Sequence, residues 1–410
     1  MSLSIHPDMR IDRLLEQFPN TRTVFEAHGL GRLVTEVSLG AVGPFLTLQT
    51  ALVSHGVAAD PFVQLLNDFC RKESPLDDRS WPRARHQGTI NLLTLLPSSL
   101  KVSFARALAG YIKKSNGRRR QPVNIAVESN LNHEISYTPY VNHIDHIDAL
   151  PDIIVSADFN PFFHHRFYRR FIQPGHFVDP MEKNPNALYT GAGISDPRRH
   201  YSIIGVNPLV IVADLKAAGS RPLPGCWSDL LDPQWQNSII LKGNPHFFCH
   251  AVLLPIFKDH GIAGMRALAA NVVEGRHPAQ MVKTAGTGQS AALYVMPDCF
   301  ARKIPARRAV RIIWPADGAL ASPITLLVKK EKAVRLKPIT RCLTGKPMAK
   351  VLAGSYFPAA HPGAPNRLPV GAGLKWLGWD YIRANDLEAA NNEIDRIFLP
   401  AVYQRRSRCA

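Results

Sequence analysis

Apolar positions in the first 72 residues recur at helical spacing. Ile11, Leu14, Leu15 and Phe18 form one stripe, with Asp8 ahead of it as a cap and Pro19 behind it as a stop. A second stripe begins near Asn20, carries Val24 and Phe25, and ends at His28-Gly29-Leu30-Gly31, a glycine stop. A third, with Leu46, Leu48, Ala51 and Leu52, closes at His55-Gly56. The fourth opens at Asp60-Pro61, a capping residue followed by a proline suited to the first helical turn, and carries Phe62, Leu65, Leu66 and Phe69. The pattern predicts a small all-α domain over 1–72.

Residues 73–121 read as a linker with a helical segment. KESPLDDRSWPRARHQG is charged and proline-bearing. Asn91 to Ile112 is apolar enough for one or two helices, with Pro97-Ser98-Ser99 opening the second, and KKSNGRRRQ is a basic hinge. From Pro122 the grammar changes. Val123 to Val127, Pro151 to Ser156, Pro208 to Asp214, Ser238 to Leu241, Ala292 to Met296, Val310 to Pro315 and Pro323 to Lys330 are short apolar runs rich in Ile and Val. Helical spacing separates several of them, as at Ile262 to Val273 and Asn385 to Phe398. Strands alternating with helices predict an α/β architecture.

Composition adds direction. Hydrophobic residues make up 46% and charged ones 20%, a balance that supports a sizeable core. Lys and Arg number 49 against 32 Asp and Glu, a formal charge of +17. Such a field favours anionic ligands, but the basic residues come in dispersed bursts and no nucleic-acid motif accompanies them. No specific nucleic-acid partner is expected. The six cysteines form no CxxC pair, which suits free thiols in a reducing compartment. No apolar run is long enough for a membrane span, and the first residues lack the pattern of a secretory signal. These features point to the cytoplasm, with a periplasmic location as the alternative if the true start differs.

Two stretches of the chain resemble known families. RIDRLLEQFPNTRTVFEAHGLG resembles small helical domains of unknown function that often occur near redox or cluster proteins. Those relatives carry cysteines after the glycine turn, where this chain has Gly31-Arg32-Leu33, so a docking module for a protein partner, or a structural appendage, is expected instead. Further on, PLVIVADLKAAG, CWSDLLDPQWQNSIIL, GQSAALYVMPDCFARK, WPADGALASPITLLVKK and LTGKPMAKVLAGSYFPAAHP, in that order, resemble the iron-type branch of the extracellular solute-binding proteins of ABC transporters. The resemblance runs from about Pro122 to Ala401. It implies a two-lobed class II periplasmic-binding fold over 122–403, with lobe one at about 122–212 and 316–403 and lobe two at about 213–315. It also implies a small-molecule ligand, held where loops after the strand ends meet helix N-termini, and an ABC permease as partner.

Candidate ligand-binding residues follow from position in that fold. Ser129 and Asn130 follow the first strand; Asp158 and Asn160 follow the second. His246 precedes a helix in lobe two, and Thr287, Gly288 and Ser290 lie in TAGTGQS, a small, polar loop able to present N–H groups to an anion. Tyr294 and Asp317 complete the set. Ferric-binding relatives carry adjacent tyrosines just before the FAR segment. Anchored on Phe300-Ala301-Arg302, those positions are Val295 and Met296 here. Hard ferric iron prefers phenolate and carboxylate oxygens. A chelated metal, an oxyanion or an organic acid is therefore the expected solute, with ferric transport as the alternative. No cofactor is fixed by the sequence; a bound anion or metal ion is compatible with it. The pairs His143/His146, His164/His165 and His246/His250 are expected to be structural or solvent-facing. No catalytic constellation is present. An enzyme on the same fold would draw on His246, Cys249 and Asp298, and an intracellular scaffold would have a vestigial cleft.

Overall fold

The structure is a computed structural model and describes residues 4–73, 90–116, 123–129, 137–244 and 247–409. The chain divides into two compact units: Met1–Ser156 with Arg166–Asp179 and Leu326–Thr340, and Ala157–His165 with Pro180–Thr325 and Arg341–Ala410.

Unit one begins with helices at Ile11–Gln17, Arg22–Ala27, Glu36–Ala41, Leu48–Ser54 and Ala59–Glu73. Leu14, Phe25, Leu48, Leu52 and Leu66 close their common core. Asp8 does not cap the first helix; Arg10 stands at its N-cap and provides no side-chain cap. The helix Glu36–Ala41 was not expected, although Thr35 caps it, accepting from Ser38 N at 3.2 Å. The apolar run after Asn91 departs from expectation too: Ile90–Leu96 is a strand, β1, not a helix. A run such as INLLTLL carries no period that separates a buried strand from a buried helix, and here its neighbours decide. It pairs in parallel with β2 (Val123–Ser129) and with β3 (Ile153–Ala157). The helix Ser98–Asn116 follows, opening where Pro97-Ser98-Ser99 indicated. A short strand β4 (Phe177–Val178) completes the unit.

Unit two is built on β5 (Ser202–Asp214), fully buried along its 13 residues. β6 (Ile239–Asn244), β7 (Phe247–Phe248), β8 (Val272–Arg276), β9 (Leu293–Pro297) and β10 (Val310–Ile313) surround it. β5 runs antiparallel to β9 and β10, and β6 is parallel to both β9 and β8. The long β11 (Ala319–Lys329) starts here, beside β12 (Leu374–Lys375), and its last residues belong to unit one. Continuous Ile, Val and Leu runs are what strands buried on both faces require. The helix His250–Asn271 links β7 to β8 and is broken at Gly261, whose φ of +59° interrupts the helical turn. Every strand anticipated from Pro122 onward is present, and β1, β4, β7, β8 and β12 are additional.

Candidate functional site

A buried polar cluster lies in unit two, assembled from three strands. Lys242 sits in β6, between apolar residues, and is 4% exposed. Lysine is almost never buried so deeply without a partner. The partner is Asp158, the residue after β3, whose Oδ2 lies 3.4 Å from Lys242 Nζ. The other carboxylate oxygen of Asp158 accepts from Ser322 Oγ in the middle of β11. Asp158 reaches both because its backbone turns into the left-handed region, φ +69°, with its N–H donated to Pro323 O at 3.0 Å. Cys249 closes the cluster: its N–H donates to Lys242 O at 2.9 Å.

The electrostatics follow from these contacts. Burial alone would pull Lys242 down, yet the Asp158 carboxylate and Cys249 outweigh it and hold the ammonium above its ordinary pKa. Burial pushes the Cys249 thiol up, against the pull of Lys242. Burial also lowers the His277 pKa, and the positive charge of Lys242 lowers it further. At 3.4 Å the attraction between Asp158 and Lys242 amounts to about 5 kcal/mol for an effective dielectric of about 20. Desolvating each ion costs several kcal/mol. The attraction and the desolvation costs are of similar size, so the contact is close to break-even.

Histidines and carboxylates form a further polar group in unit two. His250 Nε2 lies 2.9 Å from Asp395 Oδ1, and the buried His164 has Nδ1 3.7 Å from Glu388 Oε2. Burial brings His164 down to about 4, with Asp386 opposing the shift and His250 adding to it. Among the described residues no group of three or more His, Cys, Asp or Glu side chains is placed to hold a metal ion. In unit one, a separate polar hollow of about 460 Å³ is lined by Asp8, Arg10, Thr47, His143, Asp145 and Asp148 among others. Arg10 donates to the carbonyls of Phe45, Asp148 and Ala149, which ties the helical domain to the segment before β3.

Of the candidate ligand-binding residues, Asp158 alone belongs to the Lys242 cluster; Cys249, singled out only for an enzyme on this fold, belongs to it too. Asn160 caps the turn Pro161–Phe163, accepting from Phe162 N at 3.0 Å and donating to Ala157 O at 3.0 Å. The TAGTGQS loop does present N–H groups to an anion, but the anion is the chain's own. Asp214, fully buried, takes Gly286 N at 2.8 Å and Gly288 N at 2.9 Å on one oxygen, and Lys216 N and Ala217 N on the other. Glycine is required at 288, where φ is +72° and a Cβ would come within 2.5 Å of the Lys216 side chain. Thr287 Oγ1 donates to Thr284 O, and Ser290 Oγ accepts from Arg276 Nη1 at 3.2 Å. Tyr294 is buried in β9, its hydroxyl accepting from Ala291 N at 3.3 Å, and Val295 and Met296 beside it are equally buried. Asp317 accepts from Trp227 N at 3.3 Å and from Lys375 Nζ at 2.9 Å. Asn130 and His246 lie outside the described residues; Ser129 ends β2, opposite Leu96. Asp298 is buried, pairs with Arg302 Nε at 2.7 Å, and has its pKa raised by burial against the pull of Arg302. Lys242 and Ser322 were missed. The available signal was a single lysine inside an otherwise apolar strand, SIILKG.

Comparison with known proteins places this architecture. The model of the bacterial extracellular solute-binding protein family matches residues 148–385, and a domain of unknown function (DUF1858) matches residues 5–63. The chain belongs to the bacterial extracellular solute-binding protein family. Among solved structures it is similar to the apo ferric ion-binding protein A of Pasteurella haemolytica, with 14% identity and a TM-score of 0.56 over 76% of this chain and 98% of that one. The ferric binding protein from Campylobacter jejuni gives 12% identity and 0.54, over 75% and 99%. The Trichodesmium protein IdiA (FutA), in complex with iron and citrate ligands, gives 14% and 0.53, over 76% and 99%. These similarities show the fold, a class II periplasmic-binding fold preceded by a small helical domain. No curated protein matches the chain.

Proposed function

We propose that the protein is the substrate-binding component of an ABC-type uptake system and captures ferric iron as an anionic complex with an organic carboxylate. The carrying observation is the pairing of Lys242 and Ser322 on the two oxygens of one carboxylate, an arrangement suited to an organic acid. Membership of the solute-binding family supports a binder rather than a catalyst, with an ABC permease as its partner. The fold is shared with proteins described as ferric ion-binding, one of them holding iron and citrate. Positions 295 and 296, Val and Met, offer no oxygen to a bare ferric ion, which favours iron that arrives already chelated. The family's description as extracellular favours a site of action outside the cytoplasmic membrane, against the cytoplasmic expectation. Among the described residues no helix is long and apolar enough to cross a membrane.

Isothermal titration of the full chain tests this. Ferric citrate should bind in the micromolar range or tighter, with citrate weaker, and Lys242→Met should reduce affinity about 100-fold, a loss of about 2.7 kcal/mol. Absence of heat with both ferric citrate and citrate at millimolar concentration would remove the proposal.

A further inference from the structure

Asp158 is held unlike Asp214, the fully buried aspartate of the same unit. Asp214 is fully buried and accepts four backbone N–H groups at 2.8–3.2 Å, so its carboxylate is part of the frame. Asp158 instead keeps its side chain 21% exposed, and its two oxygens meet a hydroxyl and an ammonium that come from other strands. The contact to Lys242, at 3.4 Å, is longer than the roughly 2.7–2.9 Å of a tight charge-assisted hydrogen bond. Its backbone lies at φ +69°, in the left-handed region that aspartate and asparagine enter more readily than other non-glycine residues. Ser322 Oγ and Lys242 Nζ thus form a preformed receptor for a carboxylate, filled by a side chain that reaches it from a partly exposed position.

We propose that Asp158 is an internal stand-in for the solute's carboxylate. In the solute-free protein it occupies Ser322 and Lys242. On binding, the incoming carboxylate takes both contacts and Asp158 turns out to solvent. This rests on the assignment of the Lys242 cluster as the solute site and deepens it, because it makes Asp158 a specificity-determining residue. The stand-in keeps the buried ammonium neutralised while the site is empty, and it sets a threshold: a neutral solute cannot displace it, and a carboxylate can. The exchange conserves charge in the cluster, so Lys242 never stands unpaired in the interior.

Asp158→Gly separates this from a purely structural pair. Glycine suits φ +69°, so the variant should fold, and it leaves the receptor without its carboxylate. Sodium acetate at tens of millimolar should then raise the Tm of Asp158→Gly by several degrees and leave the wild-type Tm unchanged. Citrate should bind Asp158→Gly about 10-fold tighter than wild type. Asp158→Asn, which keeps the volume and tolerates the left-handed backbone, should also gain citrate affinity. Adding Lys242→Met to Asp158→Gly should abolish both gains. A folded Asp158→Gly that ignores acetate and binds citrate no better than wild type would overturn the exchange. The two proposals fail separately. Wild type that ignores ferric citrate, beside acetate uptake by Asp158→Gly, would sink the iron-complex function and support the stand-in. Ferric citrate binding that Asp158→Gly leaves unimproved would sink the stand-in alone.

Discussion

Two aspartate–lysine pairs with buried lysines flank β3 in the chain, and the two lysines shift in opposite directions. Before the strand, in unit one, Asp152 accepts from Asn91 N at 2.9 Å and from Lys332 Nζ at 2.8 Å, while Lys329 Nζ stands 3.9 Å away. After it, in unit two, Asp158 faces Lys242 at 3.4 Å. Lys329 is 1% exposed, and burial, reinforced by the like charge of Lys332, depresses its pKa to about 8 despite Asp152. Lys242, 4% exposed, keeps its pKa above the ordinary value because Asp158 and Cys249 outweigh burial. Depth alone does not decide which way a buried lysine's pKa shifts. In unit one two ammoniums share a carboxylate already committed to a backbone N–H. In unit two one ammonium faces a carboxylate and a thiol.

The contrast can be broken experimentally, and Lys242→Met should have the largest effect. It leaves Asp158 partly buried without its cation and should cost about 2–3 kcal/mol in urea unfolding. A loss below about 1 kcal/mol would show that the ammonium is not charged there. Asp152→Asn should cost less, about 2 kcal/mol, since Lys332 can turn to solvent and Lys329 can shed its proton. Equal losses in the two variants would erase the distinction drawn above.

Lys329→Met should be the mildest at neutral pH, within about 1 kcal/mol of wild type, because an apolar side chain of similar size replaces a poorly compensated charge. Its signature lies in the pH dependence. The folded-state pKa of Lys329 is below the ordinary value of 10.5, so between about 8 and 10.5 the unfolded chain binds more protons and stability rises with pH. Below pH 8 the group is charged in both states, and the slope vanishes. The wild type should therefore gain stability on going from pH 8 to 10, and Lys329→Met should flatten that rise. An unchanged slope in denaturation midpoints would show that Lys329 is not the group responsible.

Much of the fold was legible in the chain. The helical domain announced itself through its stripes and through Asp60-Pro61, which lies at the start of the helix Ala59–Glu73. The strands from Val123 onward were marked by their Ile and Val runs. β1 was not, because a seven-residue apolar segment reads equally as strand or helix until its partners are known. The binding candidates were less legible. TAGTGQS did show a loop with N–H groups to give, yet their acceptor, Asp214, precedes Gly286 by 72 residues. Asp158 was placed correctly after its strand, but nothing near it in sequence named Lys242 or Ser322.

The sequence by itself determined what local chemistry controls: the helical stripes and stops, the apolar strands of the α/β body, and the order of segments that aligns it with the solute-binding family. Tertiary structure alone decided the ionic partners. Asp158 meets Lys242 across 84 residues of chain and Ser322 across 164, and Asp214 reaches forward to the TAGTGQS loop. Strand order and register set those meetings. A buried charge takes its pKa from whatever they bring within a few ångströms, and no local pattern encodes that.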